Sequence, residues 1–353
     1  MKKNLMSNSK RKKIAIIITI SLLCACLTIS SAFLGVYLYN PPLKEGFRVV
    51  AYITGDSFSD LQSLDKFHFS KVTHLIYAFG FVNGTTLDIY LDDDKKLEML
   101  SNHIRTNYPE VKLMLSIRSA WENDGMCDVS HTEENRLKFA NQCNELMKIY
   151  SLSGIDVDWE YPCYDMPGIK RCKDCIKDHY SLMKTLREEL PNGTLLSIAS
   201  PGIKRIAANY KSFKLAKILD FVNVMLYDIS LEYNGPFNYC KNIMFQYCLA
   251  GYTKDQLNWG LPFYGRSETS ELDYWGYERI MEAVKEGNAQ LIENKDYSFV
   301  KLDNGKISFD SYKQIEKKTK YAKKTGYGGV FCWHMGSDYN NELMDMIWSQ
   351  LKG

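Results

Sequence analysis

Three acids stand at every second position of the stretch Ser153-Gly-Ile-Asp-Val-Asp-Trp-Glu-Tyr-Pro162: Asp156, Asp158 and Glu160. Side chains of a β-strand alternate faces and advance about 3.3 Å per residue, so these carboxylates share one face, neighbours roughly 7 Å apart. Ile155, Val157 and Trp159 take the other face. Carboxylates aligned this way repel one another, which raises the proton affinity of at least one of them and keeps an acid protonated near neutral pH. The ladder therefore suits cleavage of a glycosidic bond, with one member as acid and aspartates in support. A metal site or a chance edge strand is the weaker reading.

Such a ladder needs a frame. After Pro41-Pro42, eight apolar segments read as strands: Val49–Ile53, Val72–Phe79, Val111–Ile117, Gly154–Glu160, Thr194–Ala199, Phe221–Tyr227, Leu257–Pro262 and Gly328–Trp333. Amphipathic helices alternate with them. Leu137, Ala140, Met147 and Tyr150 make one stripe; Ile176, Leu182, Met183, Leu186 and Leu190 make another; Tyr312 to Thr325 stops at Gly326, a C-terminal cap. Eight β/α units predict an α/β fold, a (β/α)8 TIM barrel whose active site lies at the C-terminal strand ends. A doubly wound open sheet is the second choice, but no Gly-x-Gly-x-x-Gly loop follows the first strand. The long gap from Tyr264 to Tyr327 predicts a small insertion between strands seven and eight, with Ile280 to Val284 on a short helix.

On this frame, Ser200-Pro201-Gly202, Tyr227-Asp228, Tyr264-Gly265-Arg266 and Trp333 fall at strand ends around one mouth, with Glu160 at the rim and Asp156 deepest. The segments resemble family 18 of the glycoside hydrolases, the chitinase group. Gly154 to Glu160 matches the fourth-strand motif Asp-Gly-x-Asp-x-Asp-x-Glu; Met225-Leu226-Tyr227-Asp228 matches Met-x-Tyr-Asp; Gly260 to Arg266 matches Gly-x-Pro-x-Tyr-Gly-Arg; Gly328 to Trp333 matches Gly-Gly-Val-x-x-Trp. Val49-Val-Ala-Tyr52 and Thr73-His-Leu-Ile-Tyr-Ala-Phe79 resemble strands one and two, so the resemblance covers residues 46–353.

The resemblance implies retaining endo-hydrolysis of chitin, the β-1,4-linked polymer of N-acetylglucosamine, by the substrate-assisted route that departs from the two-carboxylate scheme. Glu160 would protonate the glycosidic oxygen and later activate water, while the sugar's own acetamido oxygen attacks the anomeric carbon. Asp158 would orient the acetamido N–H and stabilise the oxazolinium cation, and Asp156 would share a proton with Asp158. Tyr227, assisted by Asp228, would hold the acetamido oxygen, and Trp333 would floor the distorted sugar. Tyr52, Phe79, Met225, Tyr264, Arg266 and Trp121 complete the expected substrate-binding set. No cofactor and no metal is expected, because the substrate brings its nucleophile.

Two positions depart from the pattern. Strand three ordinarily ends Ser-x-Gly-Gly, but Ser116-Ile-Arg-Ser119 places Arg118 and Ser119 at the glycines; Ser153 replaces the first acid of the fourth-strand motif. Two alternatives to a chitinase therefore stand: a chitin-binding lectin without activity, and an endo-β-N-acetylglucosaminidase acting on N-glycans.

Elsewhere the chain is bland in composition. Its net charge is +2, with acids and bases interspersed, which points away from nucleic acid. Its 24 Tyr, 16 Phe and 6 Trp fit a sugar cleft or a large core equally. The expected divisions are a basic cytoplasmic terminus at 1–13, a transmembrane signal anchor or signal peptide at 14–39, a linker at 40–45 and the catalytic barrel at 46–353. Ile14 to Tyr39 carries no charge, and at about 1.5 Å per helical residue it exceeds the roughly 30 Å apolar core of a bilayer. Ser30-Ser-Ala32 offers a cleavage site, which leaves a secreted form open. Basic residues before the run place the barrel outside the cell or in a lumen, and wall-chitin remodelling by a monomer is the expectation. Cys127, Cys143, Cys163, Cys172, Cys175 and the pair Cys240/Cys248 then sit where disulfides form, and Cys332 reads as a buried thiol. Asn83-Gly-Thr85 and Asn192-Gly-Thr194 are glycosylation sequons.

Overall fold

Short runs rich in Val, Ile, Leu and aromatic residues, buried on both faces, form parallel strands rather than alternating ones. In the computed structural model, which describes residues 46–118, 125–162, 174–210, 213–268, 274–303 and 305–351, each of the eight expected segments is such a strand. They are β1 (Arg48–Thr54), β2 (His74–Val82), β4 (Lys112–Arg118), β5 (Gly154–Asp158), β6 (Leu195–Pro201), β7 (Phe221–Met225), β8 (Leu257–Pro262) and β14 (Gly329–Trp333). A short β3 (Ile89–Leu91) pairs antiparallel with the end of β2. The remaining strands lie in the insertion: β9 (Tyr264–Ser267), β10 (Tyr274–Gly276), β11 (Gln290–Glu293), β12 (Ser298–Leu302) and β13 (Gly305–Phe309).

The eight strands pair in parallel around a closed ring, β1 meeting both β2 and β14. This is the (β/α)8 barrel. Alternation divides each strand between two apolar layers. Ile155, Val157 and Trp159 pack outward into the layer beneath the helices. Val50, Ile76, Met114, Phe221 and Phe331 fill the barrel interior.

Helix Glu133–Ile149 is capped by the Thr132 side chain, and helix Tyr312–Thr325 ends at Gly326, whose φ of 78° is the left-handed conformation a C-terminal glycine supplies without strain. Helix Cys175–Glu189 buries Leu182, Met183 and Leu186, but Ile176 is 50% exposed; the apolar stripe begins a turn later than expected. The insertion is a five-stranded antiparallel sheet in the order β10-β9-β13-β12-β11, with helix Tyr277–Lys285 attached.

The segments expected at 1–13, 14–39 and 40–45 lie outside the described residues. Among the described residues no helix is long and apolar enough to cross a membrane. Cys127 and Cys175 each take part in a disulfide, Cys143 is a buried free thiol rather than the disulfide partner expected, and Cys163 and Cys172 lie outside the described residues. Cys240 and Cys248 are free thiols, so the local loop expected between them does not form. Both sit on helix Phe237–Leu249, where eight residues correspond to about 12 Å of rise, beyond the reach of a disulfide. Cys332 is a buried free thiol, as expected.

Candidate active site

Pleating turns Asp156 and Asp158 into the barrel and leaves Glu160 just beyond the end of β5. Asp156 is fully buried, and three hydroxyls donate to it: Tyr52 and Ser116 to Oδ2 at 2.9 and 2.8 Å, and Ser197 to Oδ1 at 2.5 Å. Burial raises its pKa while these donors work the other way, and the net shift is upward. The polar chain continues across the barrel. Asn223 donates to the Tyr52 hydroxyl at 2.9 Å, Asn258 to Asn223 at 2.9 Å, and Arg48 to Asn258 at 3.1 Å. A fully satisfied buried network of this kind fixes its members in place.

Asp158 is set differently. Its carboxyl lies beside that of Glu160, and its buried Oδ1 has no partner among the described residues. Burial first, then the charge of Glu160, pushes its pKa well above the usual carboxylate range. Hydroxyl donors occupy both oxygens of Asp156. Arg118 is the register partner of Asp158 across β4 and β5. Its Nη2 donates to Glu160 Oε1 at 3.2 Å, its Nε lies 3.7 Å from Asp158 Oδ2, and its guanidinium rests 5.2 Å from the Phe79 ring centroid.

Aromatic rings build the floor and walls. Trp333 stacks on Phe79, with centroids 5.4 Å apart and planes at 23°, and meets Tyr52 at 5.6 Å. A register shift between Ala78 and Gly80 takes Phe79 out of the regular β2 ladder and aims it at the cleft. Tyr227 is nearly buried, and burial raises its pKa, followed by the charges of Asp158 and Glu160, so it stays a neutral donor. Arg266 holds Asp228, and Tyr264 stacks on Tyr274 at 4.7 Å.

Tyr52, Phe79, Asp158, Glu160, Met225, Tyr227, Asp228, Tyr264, Arg266 and Trp333, all expected from sequence, line one cavity of about 680 Å³. Asp156 does not line it but accepts from Tyr52, which does, and Trp121 lies outside the described residues. Tyr161, Tyr274 and Asp56 also line it and were not anticipated. Tyr161 follows the acid motif directly and was within reach of sequence reasoning; Tyr274 comes from the insertion, whose pairing the sequence does not reveal.

The sequence profile of glycosyl hydrolases family 18 matches residues 48–338. The chain belongs to that family. The family 18 chain is 25% identical over 316 residues to chitotriosidase-1 of Mus musculus, covering 75% of this chain and 67% of that protein. It is 27% identical over 333 residues to endochitinase 1 of Metarhizium anisopliae, covering 76% of each. Chitinase A1 of Niallia circulans is 24% identical, and there the family 18 chain spans only 44% of the relative's length. Among solved structures, a family 18 chitinase from Cycas revoluta bound to (GlcNAc)3 superimposes with a TM-score of 0.75 at 21% identity, over 86% of this chain and 99% of that one, a likeness of fold.

Proposed function

We propose that the barrel cleaves β-1,4-linked N-acetylglucosamine polymers internally and with retention of configuration. The observation that carries this reading is Asp158: a buried carboxyl beside Glu160, its proton affinity raised first by burial, with Oδ1 lacking a partner among the described residues, inside an aromatic-floored cleft. An acetamido N–H from the substrate satisfies that oxygen. The acetamido carbonyl, held by the Tyr227 hydroxyl, attacks the anomeric carbon while Glu160 passes a proton to the leaving oxygen. The resulting oxazolinium cation faces Asp158. Glu160 then takes a proton from water, which opens the ring and restores the sugar with its original configuration. Trp333 supplies the apolar surface beneath the sugar. The relatives, named as chitinases, support this substrate class.

The N-terminal uncharged run supports a second element of the proposal. It would tether a monomeric barrel at the cell surface, or be cleaved from a secreted form, and the enzyme would then remodel wall chitin nearby. The contact between Arg118 and Glu160 favours one rival, a chitin-binding lectin, because it occupies an oxygen of the acid. The test is hydrolysis of N-acetyl-chitooligosaccharides by the full-length protein and its Glu160→Gln variant. Shorter oligomers released by the wild type, with a loss of about two to four powers of ten in the variant, are expected. Binding without cleavage by either protein would establish the lectin reading; neither binding nor cleavage would direct the search to N-glycan substrates.

A further inference from the structure

Arg118 is the feature that the reaction described above leaves without a task. It is a permanent cation, since guanidinium does not deprotonate in proteins. Its side chain is 22% exposed, it lines the cleft, and it sits nearer to Glu160, at 3.2 Å, than to Asp158, at 3.7 Å. Among the described residues, the other titratable groups that feel Glu160 include Asp158 on β5, Tyr161 beside it, Tyr210, and Tyr227 beyond the end of β7. Tyr210 and Tyr227 are buried and Tyr161 is partly buried; burial raises the pKa of all three and they stay neutral, so Arg118 is the one cation of this described set.

We propose that Arg118 is a positioning residue for the proton of the acid pair, holding the negative charge on Glu160 and the proton on Asp158 until an N-acetyl group engages Asp158. The inference rests on the hydrolase reading above. In this proposal Asp158 and Glu160, both within reach of Arg118, share one proton, so that the trio is electrically neutral. The nearer cation stabilises the anion on Glu160, which leaves the acid without the proton it must deliver. An acetamido N–H on Asp158 Oδ1 is a competing donor. It stabilises the anion on Asp158, and the proton passes to the neighbouring Glu160. Nothing is gained or lost in this step; one proton moves between two oxygens. A sugar lacking the acetamido group leaves the acid unarmed, so Arg118 sharpens selection at the moment of reaction rather than at binding.

The test compares full-length wild type, Arg118→Gln and Arg118→Lys over pH on two substrates. One is an N-acetyl-chitooligosaccharide, whose leaving sugar needs a proton. The other is the dinitrophenyl glycoside of the same donor, whose leaving group departs without one. In Arg118→Gln the pair keeps its proton to higher pH, so the alkaline limb of kcat/KM on the oligosaccharide moves up by about one unit. One unit above the wild-type midpoint, the rate then rises roughly fivefold. Arg118→Lys keeps the wild-type limb, and the dinitrophenyl glycoside shows no shift with any variant. An unmoved limb, or an equal change on both substrates, assigns Arg118 to propping Phe79 and the end of β4 and overturns the proposal. No turnover of either substrate by the wild type instead removes the hydrolase reading itself.

Discussion

Arg266 grips Asp228 with two parallel hydrogen bonds, Nε to Oδ1 at 3.2 Å and Nη2 to Oδ2 at 3.0 Å, while Asp228 itself sits at a φ of 53°. Left-handed backbone is uncommon for a residue with a side chain and is tolerated best by Asn and Asp. Asn234 accepts from the Asp228 amide at 2.8 Å and donates to the Tyr264 carbonyl at 3.0 Å, so the segments following the neighbouring strands β7 and β8 are tied to one another. Arg266→Lys keeps the charge but cannot present a fork. We expect KM for chito-oligomers to rise by roughly three- to tenfold, with a stability loss under about 1 kcal/mol because the pair is partly solvated. Steady-state kinetics beside thermal melting check this.

The stack of Trp333 on Phe79 predicts a binding effect. Trp333→Ala removes the apolar floor, and affinity for an N-acetyl-chitooligosaccharide, measured by calorimetry in the Glu160→Gln background, is expected to fall roughly 10- to 100-fold. Trp333→Phe should recover part of it. Unchanged affinity in the alanine variant would place the sugar elsewhere.

A pH effect on stability follows from Asp338. Burial raises its pKa from 3.8 to about 7, against two backbone amides, of Leu343 and Met344, that donate to its Oδ2 at 3.0 Å. The folded protein therefore holds a proton that the unfolded chain has already released, so this group costs stability as pH climbs from about 4 to about 7 and no further above that. The total is a few kcal/mol at most. Asp338→Asn keeps an acceptor for both amides and should flatten melting temperature across this window. Equal slopes in both proteins would refute the assignment.

Gly202 closes the turn after β6, and a Cβ there would lie 2.0 Å from the Met225 carbonyl oxygen and 3.0 Å from the Leu226 Cα. Backbone atoms on β7 cannot yield as a flexible side chain does. Gly202→Ala is expected to lower stability by about 1–3 kcal/mol and to cost activity as Met225 and Tyr227 shift. Melting and kcat on the same preparation test both halves.

Much of this was legible in the sequence, for identifiable reasons. The barrel strands announce themselves because parallel strands buried on both faces read as continuous apolar runs. The ladder Asp156, Asp158 and Glu160 was readable because a period of two leaves no ambiguity about which side chains share a face. Where the sequence fell short, the missing information was pairing. Nothing local tells Tyr274 to stack on Tyr264, since that contact depends on an antiparallel register between β10 and β9. Arg118 was visible as a departure from the family pattern, but its direction was not: a side chain at the end of β4 can turn inward or away, and only packing against Phe79 decides. Cys240 and Cys248 looked like a loop closure because spacing along a helix and spacing along a loop are indistinguishable until the helix is known.

The insertion has a division of labour with evolutionary weight. Its inner strands β9 and β10 contribute Tyr264, Arg266 and Tyr274 to the cleft, whereas β11, β12 and β13 contribute no residue to it. The edge strand β11 can therefore accept substitutions without touching the acid pair, whereas β13 is held by its pairing with β9 and by buried Ile307 and Phe309. Cleft wall and chemical machinery are in this way separately heritable: changes at Tyr264, Arg266 and Tyr274 reshape the wall while the acid ladder of the barrel stays as it is.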